Sequence, residues 1–458
     1  MTAGFSSKRS VRKSLMLVRG VRSGSLPISR FSLIFSSMRQ VFLDHQSATP
    51  VLPEVFDAMR PYFTEYFGNA SSLHQHGLRV RDALKRSRQQ MAALIGADSE
   101  EEIFFTSDGT ESANLAIKGA AYANERKGKH LVVSATEHPS VMNSVEFLEK
   151  QGWTCTRVGV TPQGMIRLDE LEAAITPQTV LVAVHHVNHD IGTIQPMREV
   201  GQICTTKNVP LYVDCEASAG WLPIDVKEWG AAMVSFSPHR FYGPKGVGVL
   251  YRNRKARIVS MIHGGVQEGG RRAGTENIPA IVGGGVAAEI ARERLTQRVA
   301  HVAPLQKRLW EGLKLNVPYI QLNGSEPGPD RIATNLNLST EFIEGEGQLL
   351  LCDMNGISVA SGSSCVSKSL KVSHVLGAIG LDHALAQGNI IMTLGEVNTE
   401  ADIDYVVETF AKIASKLRGM SPMWDEFEHG VIDSVIAPTG RGKSFSQHAA
   451  EVSGKPAH

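Results

Sequence analysis

The sequence lacks several features that would assign it to particular protein classes. It has no apolar run of about 18 residues, which argues against a membrane-spanning helix. It has only five cysteines, at positions 155, 204, 215, 352 and 365, and no CxxC spacing. This argues against a zinc module or a disulfide framework and favours a reducing compartment. The formal net charge is +1, so no electrostatic argument points to nucleic acid as a partner.

Acidic residues are missing from the beginning of the chain. No Asp or Glu precedes Asp44, whereas Arg, Lys and Ser are frequent from Lys8 to Arg39. Two interpretations stay open. Residues 1–40 are either a basic extension, disordered or transit-like, or Met38 is the true start of the chain. We expect a cytoplasmic protein, or an organellar-matrix protein if this segment is a transit peptide. Residues 433–458 are polar and aperiodic, which predicts a disordered tail.

The middle of the chain alternates short apolar runs with helical patterns. This alternation predicts an α/β fold with a large, doubly wound, mostly parallel sheet, whose ligands bind beyond the carboxyl ends of the strands. The predicted strands are Glu102–Thr106, His130–Ala135, Val180–Val187, Pro210–Asp214, Met233–Ser237 and Gly246–Tyr251. The predicted helices are Pro139–Gln151, Leu168–Ile175, Met197–Asn208 and Ile281–Arg298.

The sequence pattern changes near residue 300 to longer helices and short strands, which predicts a second domain. We expect a large domain over residues 41–298, with its first ~15 residues packing against the other domain. A smaller C-terminal α+β domain is expected over residues 299–432.

The segment Phe104–Ser112 reads as a strand, a tight turn and a helix start. Free backbone N–H groups and the helix dipole make such a turn a candidate anion site, with Ser107 and Thr110 as hydroxyl donors. The alternative is a purely structural helix cap by Asp108, with Glu111 three residues later.

Further polar residues follow other predicted strands. Asp214 ends an apolar strand, where it could hold a protonated ring nitrogen or cap a helix. His138 could stack on a flat ring, although a lone histidine is more often structural. Ser237, His239 and Arg240 place a hydroxyl, an imidazole and a guanidinium close together, a set that suits phosphate.

A polar loop, Ser361–Ser367, carries Cys365. Structural cysteines are mostly buried among apolar neighbours, so this thiol is a candidate nucleophile. The other four are expected to be inert, with Cys215 left open because it adjoins Asp214. No pattern predicts a resident metal, and Cys365 is a candidate iron–sulfur ligand.

In this order and spacing, the segments resemble one family, the cysteine desulfurases of the class V aminotransferase group. These are fold-type I enzymes dependent on pyridoxal 5′-phosphate (PLP). The resemblance runs from about Val41 to Gly430. Further segments that carry it are Leu43–Pro50, Phe67–His74, His186–Gly192, Gly269–Thr275 and Met420–Trp424.

The resemblance implies a role for each matching residue. His138 would stack on the pyridine ring, Asp214 would pair with its nitrogen, and Asn188 would hydrogen-bond its oxygen. The residues implied to hold the phosphate are Thr110, Ser237, His239 and, from the second subunit, Thr275. That last role implies a homodimer. Cys365 would take sulfur from L-cysteine as a persulfide and pass it to an acceptor or scaffold protein.

Four positions depart from the family pattern. The Schiff-base lysine falls on Arg240, whose guanidinium stays protonated and cannot form that bond. The substrate-carboxylate arginine falls on Ile391. The glycine of the phosphate turn is Asp108, and the glutamine beside the ring oxygen is Ala217. Lys245 belongs to the following turn.

Three hypotheses therefore stand. The first is a working PLP-dependent desulfurase that uses Cys365 and His138, with Arg240 at the lysine position and L-cysteine as substrate. The second is a catalytically degenerate homologue that acts as a sulfur carrier or iron–sulfur assembly scaffold. The third is another reaction on the same fold. Whether PLP is covalent, non-covalent or absent stays open, and His138 is the remaining candidate base.

Overall fold

The computed structural model describes residues 39–362 and 372–436. The predicted basic extension up to Met38, Cys365 and its neighbours from Ser363 to Lys371, and the tail from Ala437 lie outside these residues. The described residues from Val41 to Ile436 group into one compact unit.

Twelve strands and thirteen helices lie in the described part of the chain. The strands are β1 (Val41–Phe42), β2 (Ile103–Thr106), β3 (His130–Ser134), β4 (Thr154–Val158), β5 (Thr179–His185), β6 (Leu211–Asp214), β7 (Met233–Phe236), β8 (Gly248–Arg252), β9 (Ile320–Leu322), β10 (Asn335–Thr340), β11 (Ile357–Ser358) and β12 (Asn389–Thr393).

The helices are α1 (Pro53–Met59), α2 (Pro61–Thr64), α3 (Gln75–Leu94), α4 (Gly109–Asn124), α5 (Pro139–Glu149), α6 (Leu168–Ala174), α7 (Met197–Thr206), α8 (Ile278–Asn316), α9 (Gly345–Met354), α10 (His374–Ala378), α11 (His383–Gln387), α12 (Glu400–Arg418) and α13 (Pro422–Glu428).

The large sheet has the strand order β2-β8-β7-β6-β5-β3-β4. Its pairs from β7 to β4 are parallel, whereas β8 runs antiparallel to both β7 and β2. Strands β3, β5, β6 and β7 are buried along their whole length, as a sheet covered on both faces requires. The predicted α/β class with a large, mostly parallel sheet is confirmed.

Alternate residues of these strands supply two apolar clusters. Val132, Val182 and Val213 belong to one cluster, and Leu131 and Tyr212 belong to another. Because successive strand residues point to opposite faces, continuous apolar runs fill both layers at once. This is why the runs were readable as buried strands in the sequence.

A smaller antiparallel sheet has the order β12-β10-β9, and β1 pairs in parallel with β11. The residues 41–42 thus contact a segment more than 300 residues later in the chain. The predicted domain boundary at residue 298 falls inside α8, which continues through Pro304 to Asn316. The division into two domains stays a prediction.

Two structural observations concern membrane insertion and metal binding. None of the helices within residues 39–362 and 372–436 is long and apolar enough to cross a bilayer. The same residues hold no group of three or more His, Cys, Asp or Glu side chains arranged to bind a metal ion.

Candidate active site

A cavity of about 200 Å³ opens where the parallel strands of the large sheet end. Parallel strands all end at one edge of the sheet, so residues distant in sequence meet there. The lining residues are Gln46, Asp108, Gly109, Thr110, His138, Ser140, His185, Val187, His189, Asp214, Glu216, Ala217, His239 and Arg240. The structure therefore brings the predicted residues Thr110, His138, Asp214, His239 and Arg240 together.

Two carboxyl groups at the end of β6 line this cavity, Asp214 as the last residue of the strand and Glu216 just after it. Asp214 is buried, and its Oδ1 accepts a hydrogen bond of 2.9 Å from the backbone N–H of Glu216. Glu216 Oε1 accepts a bond of 3.0 Å from the Ser237 hydroxyl. Burial, followed by the nearby Asp214 charge, raises the pKa of Glu216 to about 8.

Arg240 lies opposite these acids, on the short 3₁₀ turn Pro238–Arg240 after β7. Its Nε is 3.9 Å from Glu216 Oε2 and lacks a hydrogen-bond partner among the described residues. Lys245 is exposed in the next turn and does not line the cavity. None of the lining residues described is a lysine, so the cavity offers a guanidinium where an amine was expected.

His138 caps the N-terminus of α5. Its Nδ1 accepts a hydrogen bond from the Ser140 backbone N–H at 3.1 Å and lies 2.8 Å from the Ser140 hydroxyl. Burial lowers the pKa of His138, and Arg240 lowers it further, against the opposing effect of Asp214. We infer a neutral ring at pH 7 that carries its proton on Nε2, because Nδ1 is the acceptor.

A buried pair positions a second imidazole at the cavity wall. Glu137 Oε1 accepts hydrogen bonds from both the backbone N–H and Nδ1 of His185, each at 2.8 Å. Burial raises the pKa of Glu137 in spite of the attraction of His185. The pair fixes the ring of His185 and the ends of β3 and β5 relative to each other.

Two other predicted residues are buried but engaged elsewhere. Asn188 donates to the Thr136 carbonyl at 3.0 Å and accepts from the backbone N–H groups of Asp190 and Ile191, each at 2.9 Å. Ser237 is bound to Glu216. Neither residue lines the cavity, so their roles in holding a ring oxygen or a phosphate stay predictions.

The remaining predicted positions are spread over the fold. Thr275 is exposed before α8 and does not line the cavity of its own chain. Ile391 is buried on β12, paired with Asn337, and Ala217 lines the cavity. Asp108 is the N-cap of α4 and accepts from the Glu111 N–H at 2.7 Å, which is the capping role foreseen for it.

The described cysteines are poor nucleophiles. Burial raises the pKa of Cys155, Cys204 and Cys352 to about 12, and that of Cys215 well above its ordinary value. Cys365, the candidate nucleophile, lies outside the described residues.

Sequence reasoning missed further residues of this region, among them Glu216, His189 and His374. Glu216 stands two positions after Asp214, and a second carboxyl so close was a readable signal. His189 packs edge-on against His138, with ring centroids 4.9 Å apart. His374 Nε2 lies 2.8 Å from the Glu137 carbonyl oxygen, a contact across 237 positions that local sequence cannot reveal.

The comparisons with known proteins agree with this architecture. Residues 41–406 match the model of the aminotransferase class-V family. A protein named cysteine desulfurase IscS from Clostridium botulinum is 43% identical over 389 residues, covering 85% of this chain and 98% of the relative.

Two solved structures also match. A NifS-like protein has a TM-score of 0.78 and 32% identity, covering 83% of this chain and all of its own. A structure described as SspA in complex with cysteine has a TM-score of 0.68 and 33% identity, covering 78% and 99%.

Proposed function

Because the chain belongs to the class-V aminotransferase family and, within it, to the cysteine desulfurases, we propose that it handles the sulfur of L-cysteine. The sulfur would serve iron–sulfur cluster or thio-cofactor assembly, passing through a persulfide on Cys365. Cysteine desulfurase is the printed name of relatives that cover most of this chain, and a cysteine complex exists for one structural neighbour.

PLP is the cofactor of this family, and the cavity fits it at one end only. His138 and Asp214 are suited to a pyridine ring, since one is a flat imidazole and the other a buried carboxylate. Covalent attachment needs an amine, and Arg240 supplies none. The phosphate end would meet the carboxyl groups of Asp108 and Glu216. The residues present therefore do not fit PLP as a covalently held, phosphate-anchored group.

The geometry best supports the degenerate form of the proposed function, and Arg240 is the observation that carries it. Its Nε faces Glu216 at 3.9 Å, at the place where the reaction requires a neutral amine. In this form the protein acts as a sulfur carrier or an iron–sulfur assembly scaffold, with Cys365 as the carrier or ligand.

A second form is favoured by the retained His138 and Asp214. In it the protein converts L-cysteine to L-alanine, and the sulfur atom joins the Cys365 thiol as a persulfide. The reaction balances without an external oxidant, because the thiol hydrogens end on alanine and on the persulfide. Asn188, Thr110, Ser237 and His239 would keep the roles that the family resemblance implies.

One experiment separates the two forms. The full chain is purified with PLP in every buffer, and free PLP is then removed by gel filtration. The visible spectrum of the protein is recorded, and borohydride is used to trap any covalent adduct that remains. Sulfide and alanine are then measured from L-cysteine with a thiol reductant. The degenerate form predicts no trapped adduct and no turnover, whereas stoichiometric alanine would overturn it.

Two further variants sharpen the comparison. Turnover that appears only when Arg240→Lys and Ile391→Arg are combined would strengthen the degenerate form, since it restores the amine and the carboxylate clamp. Cys365→Ala should abolish every sulfur or cluster function. If it leaves them all intact, both forms fail.

We also propose the assembly and location that accompany this function. The protein would be a homodimer in which Thr275 reaches the partner's cavity, with a large domain over residues 41–298 and a small domain over 299–432. A cytoplasmic location, or an organellar matrix if residues 1–40 are a transit peptide, suits iron–sulfur assembly. Nucleic acid and membranes are not expected partners.

A further inference from the structure

The side chain of Glu216 crosses from the end of β6 to the first residue of α4. A Cβ atom built on Gly109 would lie only 1.9 Å from Glu216 Oε1 and 2.3 Å from its carboxyl carbon. The carboxyl group therefore packs directly against Gly109, and a side chain at this position would have to displace it.

The carboxyl group occupies a corner that is built for an anion. The N-terminus of a helix attracts negative charge, and Gly109 is the first residue of α4. The Ser237 hydroxyl donates to Glu216 Oε1 at 3.0 Å, and Arg240 Nε lies 3.9 Å from Oε2. A helix N-terminus, a hydroxyl and a guanidinium are the groups that would otherwise hold a phosphate monoester.

The attachment of Glu216 keeps it in this corner. Its own backbone N–H is fixed by Asp214 at 2.9 Å, and its side chain is only 17% exposed. The residue is thus held at both ends, by Asp214 at the backbone and by Ser237 at the carboxyl group.

We propose that the carboxyl group of Glu216 fills the anion-binding corner of the cavity and, in its ionised form, selects against phosphate-bearing ligands. The cavity then takes ring compounds without a phosphate group in preference to their phosphate esters. This concerns ligand choice alone and stands apart from the fate of cysteine sulfur.

The charges around the corner agree with the proposal. Arg240 is the one permanent cation among the lining residues described, against the carboxyl groups of Asp108, Asp214 and Glu216. Burial and Arg240 lower the pKa of His239 to about 4, so this imidazole adds no charge at pH 7. A phosphate dianion entering the corner would meet more negative than positive charge.

The test uses two probes that differ only in the phosphate. Pyridoxine 5′-phosphate and pyridoxine share a ring and lack the aldehyde that would react with surface lysines. Their affinities for the full chain are measured by equilibrium dialysis in the wild type, Glu216→Gln and Glu216→Ala. The measurement is made at about pH 9, above the pKa of about 8 of Glu216, so that its carboxyl group is ionised in the wild type. Glu228→Gln is the matched control, since Glu228 is exposed and does not line the cavity.

Both Glu216 variants should bind pyridoxine 5′-phosphate at least about tenfold more tightly than the wild type, with pyridoxine and Glu228→Gln little changed. Equal binding of the phosphate probe by all proteins, or no binding by any, would overturn the proposal. So would a gain in Glu216→Ala without one in Glu216→Gln, because the volume of the side chain would then explain it. Equal gains for both probes would refute it as well.

Discussion

The raised pKa of Glu216 means that this one side chain makes a pH-dependent contribution to the folding stability. In the unfolded chain this carboxyl group has an ordinary pKa of 4.5, whereas in the fold burial, Asp214 and Asp108 raise it against Arg240 and Ser237 to about 8. Below the lower value both states are protonated and the difference vanishes. Between the two values the unfolded state has released the proton and the folded state still holds it, so stability falls as pH rises. Above the upper value the loss is complete.

The size of this loss follows from the shift. A change from 4.5 to about 8 corresponds to roughly 3 to 5 kcal/mol of destabilisation at alkaline pH. Glu216→Gln removes the ionisation while keeping the shape of the side chain. Its stability relative to the wild type should therefore rise by about that amount between about pH 5 and about pH 9.

Urea unfolding of both proteins at the two pH values measures the difference. Glu228→Gln serves as the control, because its carboxyl group is exposed and its removal should give no pH-dependent gain. A gain that is the same at both pH values, or larger in acid, would refute the assignment of a strained carboxyl group to Glu216.

Three further predictions follow from contacts described above. Gly109→Ala should destabilise the wild type, because its β-carbon would displace the Glu216 carboxyl group, but it should be tolerated together with Glu216→Ala. A double-mutant cycle measured by urea unfolding should give a coupling energy of at least about 1 kcal/mol. Additive effects would contradict the contact. A thiol reagent at about pH 8 should modify one cysteine of the native protein rapidly, because the four described thiols have raised pKa values. Cys365→Ser should remove that rapid phase. A rapid phase that survives would disprove its assignment to Cys365. Phe410→Ala, in the core between α12 and the small sheet, should cost about 3 to 5 kcal/mol, whereas Met420→Ala at an exposed position should cost less than about 0.5 kcal/mol in the same unfolding measurement.

The large sheet was predictable because its strands are apolar on both faces. Edge strand β4 was missed for the opposite reason, since Thr154, Thr156 and Arg157 are exposed and leave no apolar run. The helix predicted to end at Arg298 continues to Asn316, because buried residues such as Leu305 and Leu309 resume the apolar pattern.

The site was only partly predictable. Asp214, His138 and His239 were found because each ends or follows a strand at the same edge of the sheet. Glu216 was readable as a second carboxyl near Asp214, but its packing against Gly109, more than 100 positions earlier, depends on how the two segments are brought together. The engagement of Asn188 with three backbone groups likewise depends on the folded loop and not on its neighbours in sequence.

The pairing of β1 with β11 has a consequence for how the protein is made. Val41 donates to the Gly356 carbonyl at 2.8 Å, and the Leu43 carbonyl accepts from Thr393 at 2.6 Å. At typical rates of synthesis, the ribosome needs about 15 to 60 seconds to travel from the first of these partners to residue 358. During that interval the apolar side chains of Val41 and Leu43 have no strand to pair with. The beginning of the fold is therefore among the last parts to be completed, and a chain released before Ile357 would expose an apolar edge for chaperones or aggregation.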